Sequence, residues 1–304
     1  MSNTSAQLSA DCETRACGGA VELLIHAQDK DLGGFTVRRV LPTVQRKMVG
    51  PWLFCDHLGP ARFAAGQGIN VRPHPHVNLA TVIYLFDGEI LHRDSTGSVQ
   101  AIRPGDLNLM VAGRGIVHSE RERPEVRARP HRVHGLQLWL ALPEADEEIE
   151  PCFFHYPAAE IPATQLDGVS LRVIMGTAFG CSSPVKSYAE TLYVEASLLA
   201  GQKLLAPEAQ ERAVYVASGA LQIGDTEVPA HALAVLAPGQ AVNICATADA
   251  RIAIIGGERM GKRYMEWNFV SSRKARVEQA KVDWRAGRFA KVPGDEVEFI
   301  PLPE

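Results

Sequence analysis

Four side chains able to bind a metal occur as two pairs with the same spacing. Residues 72–76 read RPHPH, with one proline between His74 and His76, and residues 113–120 read GRGIVHSE, with one serine between His118 and Glu120. In an extended strand, residues i and i+2 project from the same face, so each pair can present two donors to one point. Proline removes a ladder donor and suits an ordinary half-buried strand poorly. Pro75 would point away from such a centre while restricting His74 to extended geometry. Three imidazole nitrogens and one carboxylate oxygen suit iron, nickel, copper or zinc, and on an octahedral ion they leave two open positions. H-x-H alone also fits two packed or solvated histidines; the H-x-E that follows, with glycine turns between, favours the metal. Each imidazole must be neutral to ligate, which predicts weaker binding at mildly acid pH, around the reference value of about 6.5.

These residues need strands to position them, and the pattern supplies strands. From Phe35 to Leu142, short apolar runs (FTVRRVL, ATVIYLF, IRPGDLNLMV, GLQLWLAL) are broken by Gly, Pro and Asp, the spacing of an all-β sandwich or barrel. The acidic, turn-rich PEADEEIEP (143–151) reads as a linker. A second, similar series follows. TVIYLFDGEI (81–90) lies over RAVYVASGAL (212–221), and PGDLNLMVAGRGIVHSE (104–120) over PAHALAVLAPGQAVNIC (229–245), which reads as an internal duplication. In that alignment Leu205 and Pro207 replace the first histidine pair, and Asn243 and Cys245 replace His118 and Glu120. The second copy therefore lacks a comparable site and supports the fold or covers the first barrel's mouth. Residues 1–30 read as a leader, disordered or loosely attached over the first twenty. SSRKARVEQAKVDWRAG (271–287) reads as a helix capped by Ser271 or Ser272 and stopped at Gly287. Its modest stripe of Ala275, Val277, Ala280, Val282 and Trp284 suits a helix laid across a sheet edge, in preference to DNA contact through Arg273, Lys274 and Arg276.

Composition narrows the function. The 304 residues are 46% hydrophobic and 22% charged with a net charge of −4, ordinary for a globular chain and without the basic footprint of direct nucleic-acid binding. No signal-like start or apolar run of membrane-spanning length is evident, which predicts a cytoplasmic protein. Six cysteines do not make a disulfide scaffold, and Cys12 and Cys17 read as free thiols in preference to a metal or redox pair. His92 fits either a residue supporting the ligands or a solvent-facing turn residue. His57 reads as a turn or core hydrogen-bonder, and RERPEVRARPHR (121–132) as a solvated loop in preference to an anion clamp. No nucleophile elbow, Walker loop or dinucleotide fingerprint is present.

The block HPH…TVIYLFDGEILHRDSTGSVQAIRPGDLNLMVAGRGIVHSE, with HGLQLWLALP (134–143) and WRAGRFAKVP (284–293), resembles the pirin family of the cupin superfamily. The likeness covers nearly the whole chain beyond about residue 30. It implies two tandem jelly-roll-type cupin β-barrels with a C-terminal helix. The division would be 1–30 as leader, 31–145 as the metal-binding domain, 146–258 as a cupin without metal, and 259–304 as helix and tail. It implies one divalent metal, iron(II) in most of the family, with nickel, manganese, cobalt, copper or zinc as alternatives, held by His74, His76, His118 and Glu120. Because pirins resemble quercetin 2,3-dioxygenases, it also implies an enzyme that opens a small, flavonol-like aromatic ring with O2. Glu120 would be the general base, and Leu107, Leu109, Leu138 and Leu140 walls that exclude water. The resemblance also allows a redox- or metal-sensing regulator that binds a transcription factor or a metabolic enzyme, although no sequence feature identifies a partner. One departure stands beside the site: many pirins follow H-P-H with Arg-Gly and an aromatic-Glu pair, where this chain has Val77-Asn78-Leu79-Ala80.

Overall fold

The structure, a computed structural model, describes residues 12–31 and 35–304. The expected all-β architecture of two tandem barrels with a C-terminal helix is the one observed. In the first half a seven-stranded sheet runs Cys152–Tyr156, Leu107–Val111, Leu79–Asp87, His131–Ala141, Trp52–Phe63, Thr36–Leu41, Gln28–Asp31. A four-stranded sheet, Val71–His76, Ile116–Arg121, Ile90–Asp94, Val99–Ile102, packs against it through Val37, Leu58, Ile83 and Leu85 on one side and Val71, Ile90 and Ile102 on the other.

The second half repeats this topology. Its large sheet runs Thr14–Ala16, Val21–His26, Ala232–Leu236, Glu211–Ser218, Ala250–Gly257, Thr191–Leu198, Val169–Met175, Ala163–Leu166. Its small sheet runs Lys203–Leu205, Asn243–Ala246, Ala220–Ile223, Thr226–Pro229. The duplicated sequence blocks fall on corresponding strands of the two halves.

The large sheets pack on each other, so their strands are buried on both faces. Odd positions of Leu107–Val111 and even positions of Leu136–Leu142 meet Tyr193, Tyr215, Leu233 and Ile255 of the second half. Trp52 joins the halves more specifically, its indole N–H lying 3.0 and 3.1 Å from the carbonyl oxygens of Leu192 and Gly256.

Two boundaries differ from the sequence reading. The segment read as a leader is ordered in strands from Thr14 onward, and Val21–His26 pairs with Ala232–Leu236 of the second half. Val21, Leu24 and Ile25 are buried there, so apolar burial fixes a segment whose partner lies far away in sequence. Residues 1–11 lie outside the described residues. Reciprocally, Cys152–Tyr156, beyond the expected linker, pairs with Leu107–Val111 of the first half. Each large sheet thus takes a strand from across the expected division at 145.

The acidic connection is not a free linker either. Glu147 is buried and accepts hydrogen bonds from Ser271 Oγ at 2.8 Å, Ser272 N at 2.6 Å and Ser272 Oγ at 3.0 Å, with Arg263 Nε 3.2 Å away. These contacts draw both expected capping serines away from the helix. The helix runs Lys274–Arg285, and Arg273 at its start makes no side-chain cap. Val277 and Ala280 are its buried positions, packed with Val77, Trp267 and Phe269, whereas Val282 is half exposed. Arg273 and Arg276 pair with Glu148. Val77 follows the second histidine directly, so this C-terminal cluster backs the strand that carries both histidines.

Candidate metal centre

The strands Val71–His76 and Ile116–Arg121 run antiparallel with His118 opposite His74. His76 shares a face with His74, and the three rings converge with centroid separations of 4.3 Å for His74–His118, 5.0 Å for His76–His118 and 5.2 Å for His74–His76. One donor nitrogen from each lies within 4.8 Å of the others, and all three residues are fully buried. The His74 Nδ1–H donates to the Arg72 carbonyl at 2.9 Å, which leaves the Nε2 lone pair for the cluster. Among the described residues, the Nε2 atoms of His74 and His118 and both ring nitrogens of His76 have no hydrogen-bond partner. A buried polar atom without a partner costs about 1–3 kcal/mol, so three rings with such nitrogens and one donor each within 4.8 Å are the signature of a ligand set for an ion.

Burial holds all three imidazoles well below their ordinary pKa, in the neutral form that ligates. Burial therefore shifts the expected acid weakening of metal binding to lower pH than the solvent value implies. The sequence expectation took the solvent value for groups that are out of solvent.

Glu120 lies two residues beyond His118, on the same buried strand, opposite His92 and, past a register shift, Val71. Its Oε1 accepts a 2.9 Å hydrogen bond from the Gln137 amide. Among the described residues the group with donors inside 4.8 Å comprises the three histidines; Glu120 stands beside it, tied to Gln137.

Further residues pack around this cluster. Trp139 sets its ring edge-on to His76 at 4.9 Å, and Phe54 stacks on Trp139 at 4.0 Å. His92, on Ile90–Asp94, brings its Nδ1 to 3.5 Å from His118 Nδ1 and its Nε2 to 2.8 Å from Asp94 Oδ2. Phe153 stacks on His92 at 4.3 Å. His92 is buried, which rules out the solvent-facing reading.

The expected leucine walls need correction. Leu107, Leu109, Leu138 and Leu140 belong to the core between the two large sheets. Strand alternation turns their neighbours Gln137 and Trp139 toward the metal side instead. One polar residue inside the apolar run GLQLWLAL was the available signal for that face.

In the second half the expected replacements are displaced by one residue. Leu205 does pair with Asn243, but both are exposed, and the inward pair is Leu204 with Ile244. Ala206 and Ala246 are buried in the same apolar core, in place of any ligand set.

The other tempting residues have structural partners. His57 bridges the halves, with Nδ1 2.8 Å from Tyr215 Oη and Nε2 2.8 Å from His134 Nε2. Arginines of the 121–132 loop are tied to acids: Arg121 to Asp295, Arg123 to Glu89, Arg132 to Asp87. At the departure after H-P-H, Asn78 has φ of 57° and donates its amide to the carbonyls of Gly113 and Glu147. Asparagine is among the few residues besides glycine that adopt this left-handed conformation readily. The six cysteines are free thiols. No helix is long and apolar enough to cross a membrane among the described residues.

Comparison with known proteins agrees with this architecture. Residues 34–140 match the family profile described as Pirin, and residues 193–290 that of the Pirin C-terminal cupin domain. A pirin-like protein of Caulobacter vibrioides is 46% identical over 288 residues, spanning 93% of this chain and all of that protein. The crystal structure of a quercetin 2,3-dioxygenase from Acinetobacter baumannii superposes with a TM-score of 0.86 at 31% identity, covering 92% of this chain and 94% of that one. The bacterial pirin YhhW of Escherichia coli, solved in complex with nickel(II), shares the fold with a TM-score of 0.60 at 18% identity, covering 77% of this chain and 96% of that one.

Proposed function

The chain belongs to the pirin family, and from that premise we propose that it is a metal-dependent dioxygenase that opens a flavonol-like ring with O2. The observation that carries this reading is the set of three buried, neutral imidazoles with ring nitrogens that lack partners among the described residues, next to a buried glutamate. His74, His76 and His118 would hold one divalent transition metal, and Glu120, as the family resemblance implies, would complete the set. Iron(II) is the ion we propose, with nickel, manganese, cobalt, copper and zinc as the alternatives the donors accept. When bound, the metal supplies Lewis-acid and redox chemistry to the two reactants.

The protein's own groups perform the rest. Glu120 is proposed as the general base, taking the hydroxyl proton of the substrate on its carboxylate. Gln137 donates to Oε1 and so fixes the carboxylate's orientation while it does this. Trp139, braced by Phe54, gives the site an aromatic wall beside His76. Such a wall excludes water and suits a planar aromatic substrate.

The test is O2 uptake with quercetin by protein purified without an affinity tag and loaded separately with each candidate metal. Rates should be normalised to bound metal. Uptake in at least one form is expected. Metal binding without uptake for any flavonol would reject the enzyme and favour the metal-sensing regulator.

A further inference from the structure

Outside the ligands themselves, one chain of buried polar atoms runs away from the cluster. It begins at His118 Nδ1, 3.5 Å from His92 Nδ1, and continues from His92 Nε2 to Asp94 Oδ2 at 2.8 Å. His92 and Asp94 are buried, and the His92 ring is held flat against Phe153, with an interplanar angle of 14°. Asp94 is equally fixed. Its other oxygen, Oδ1, accepts from Thr96 N at 2.9 Å, Thr96 Oγ1 at 2.6 Å and Ser98 N at 3.2 Å.

This arrangement favours one placement of the protons. Asp94 accepts, so His92 Nε2 carries hydrogen, and in the tautomer that serves the cluster its Nδ1 offers a lone pair to His118. The His118 Nδ1 facing that lone pair must then carry hydrogen, which leaves His118 Nε2 bare toward the other two imidazoles. The opposite arrangement would place a proton on His118 Nε2 and remove it as a ligand. A second partner that fixes the tautomer of a metal-binding histidine is worth about 10–100-fold in metal affinity.

We propose that Asp94 and His92 form a tautomer-setting relay that turns His118 Nε2 into a metal donor, with Phe153 clamping the relay from the strand beyond the acidic connection. His92 and Asp94 are positioning residues here, and the inference rests on the reading of His74, His76 and His118 as a metal site. It assigns a role in metal affinity to HRD (92–94), which the ligand motifs themselves do not include.

Asp94→Asn separates this role from packing. The three donors from Thr96 and Ser98 hold the amide oxygen where Oδ1 now lies, so the amide NH2 must face His92 Nε2. That reverses the His92 tautomer and directs a proton at His118 Nδ1, with almost no change in shape. The probe is cobalt(II), with affinity read by chelator competition and the ligand set by its visible absorption bands. Wild type should bind one equivalent, and Asp94→Asn should bind about 10–100-fold more weakly with altered bands.

A second pair of variants guards against misfolding. His92→Phe keeps the stack on Phe153 but offers no acceptor, whereas His92→Asn loses the stack but can place an oxygen near the Nδ1 position. The relay predicts that His92→Phe loses more affinity than His92→Asn; a purely structural role predicts the reverse. Wild-type affinity in Asp94→Asn, or His92→Asn equal to or weaker than His92→Phe, overturns the relay while leaving the metal site intact. Failure of wild type to bind cobalt(II) would instead reject the metal site and the relay with it.

Discussion

Gln137 donates a 2.9 Å hydrogen bond to Glu120 across the buried space between the large and small sheets of the first half. The strand of Gln137 also carries Trp139, which meets His76. One rigid strand therefore braces both the proposed base and a proposed ligand, while its alternate residues pack against the second half.

The first prediction follows from that pair. Glu120→Gln should retain metal but lose about 10²–10⁴-fold in flavonol-dependent O2 uptake per bound metal, because an amide cannot accept the substrate proton. Gln137→Leu should cost less, since it removes the brace and leaves the base. Undiminished turnover per metal in Glu120→Gln would remove Glu120 from the chemistry and leave it at most a ligand.

A second prediction concerns stoichiometry and folding. One equivalent of metal should bind per chain, in the first half, because the corresponding inward pair of the second half is Leu204 and Ile244. His118→Ala should abolish tight binding yet leave the metal-free thermal transition within a few degrees of wild type, since stability comes chiefly from the apolar cores. Uptake should persist near pH 6, because burial holds the three imidazoles neutral well below their usual range. Anomalous scattering that located an ion near Asn243 would refute the assignment.

The convergence of His74, His76 and His118 was legible because period-2 geometry puts the two histidines of H-x-H on one face without knowledge of the rest of the sheet. The face of each neighbouring strand was not. Strands buried on both sides read as continuous apolar runs, so nothing but the lone Gln137 distinguished the metal side of GLQLWLAL from the side where Leu138 and Leu140 pack. The duplication was legible from aligned apolar blocks, but a one-residue displacement reverses the face of a strand, and Leu205 stood in for Leu204. Val21–His26 was missed because its partner strand, Ala232–Leu236, comes late in the chain and leaves no local trace.

That strand gives a third prediction. Deleting residues 1–27 removes Val21, Leu24 and Ile25 from buried positions and uncovers the edge of Ala232–Leu236. At about 1.5–3 kcal/mol for each fully buried side chain, the loss should be roughly 5 kcal/mol or more. A leader that was merely attached would leave the urea midpoint unchanged, so the midpoint of the truncated protein decides between the two.

The last prediction concerns acid stability and comes from the junction of the halves. Burial lowers His57 to about 2 and His134 to about 4, with their mutual proximity acting in the same direction on His57. In the unfolded chain both return to about 6.5. Above that value neither state binds the proton and the stabilising contribution is fully present. As pH falls from about 6.5 toward the folded values, the unfolded chain takes up protons that the folded one refuses, and stability declines. Each such proton contributes about 1.4 kcal/mol per pH unit to the slope. His57, fully buried between Tyr215 and His134, should dominate; His134, partly exposed, should contribute less. His57→Leu should therefore lower stability at pH 7, by stranding Tyr215 Oη, and yet flatten the decline between pH 6.5 and 4.5 by up to one proton. The metal-binding histidines titrate in the same direction but are common to both proteins, so the difference between wild type and variant isolates His57. Urea unfolding of both metal-free proteins across that range supplies the comparison, and parallel acid limbs would show that His57 does not carry the linkage.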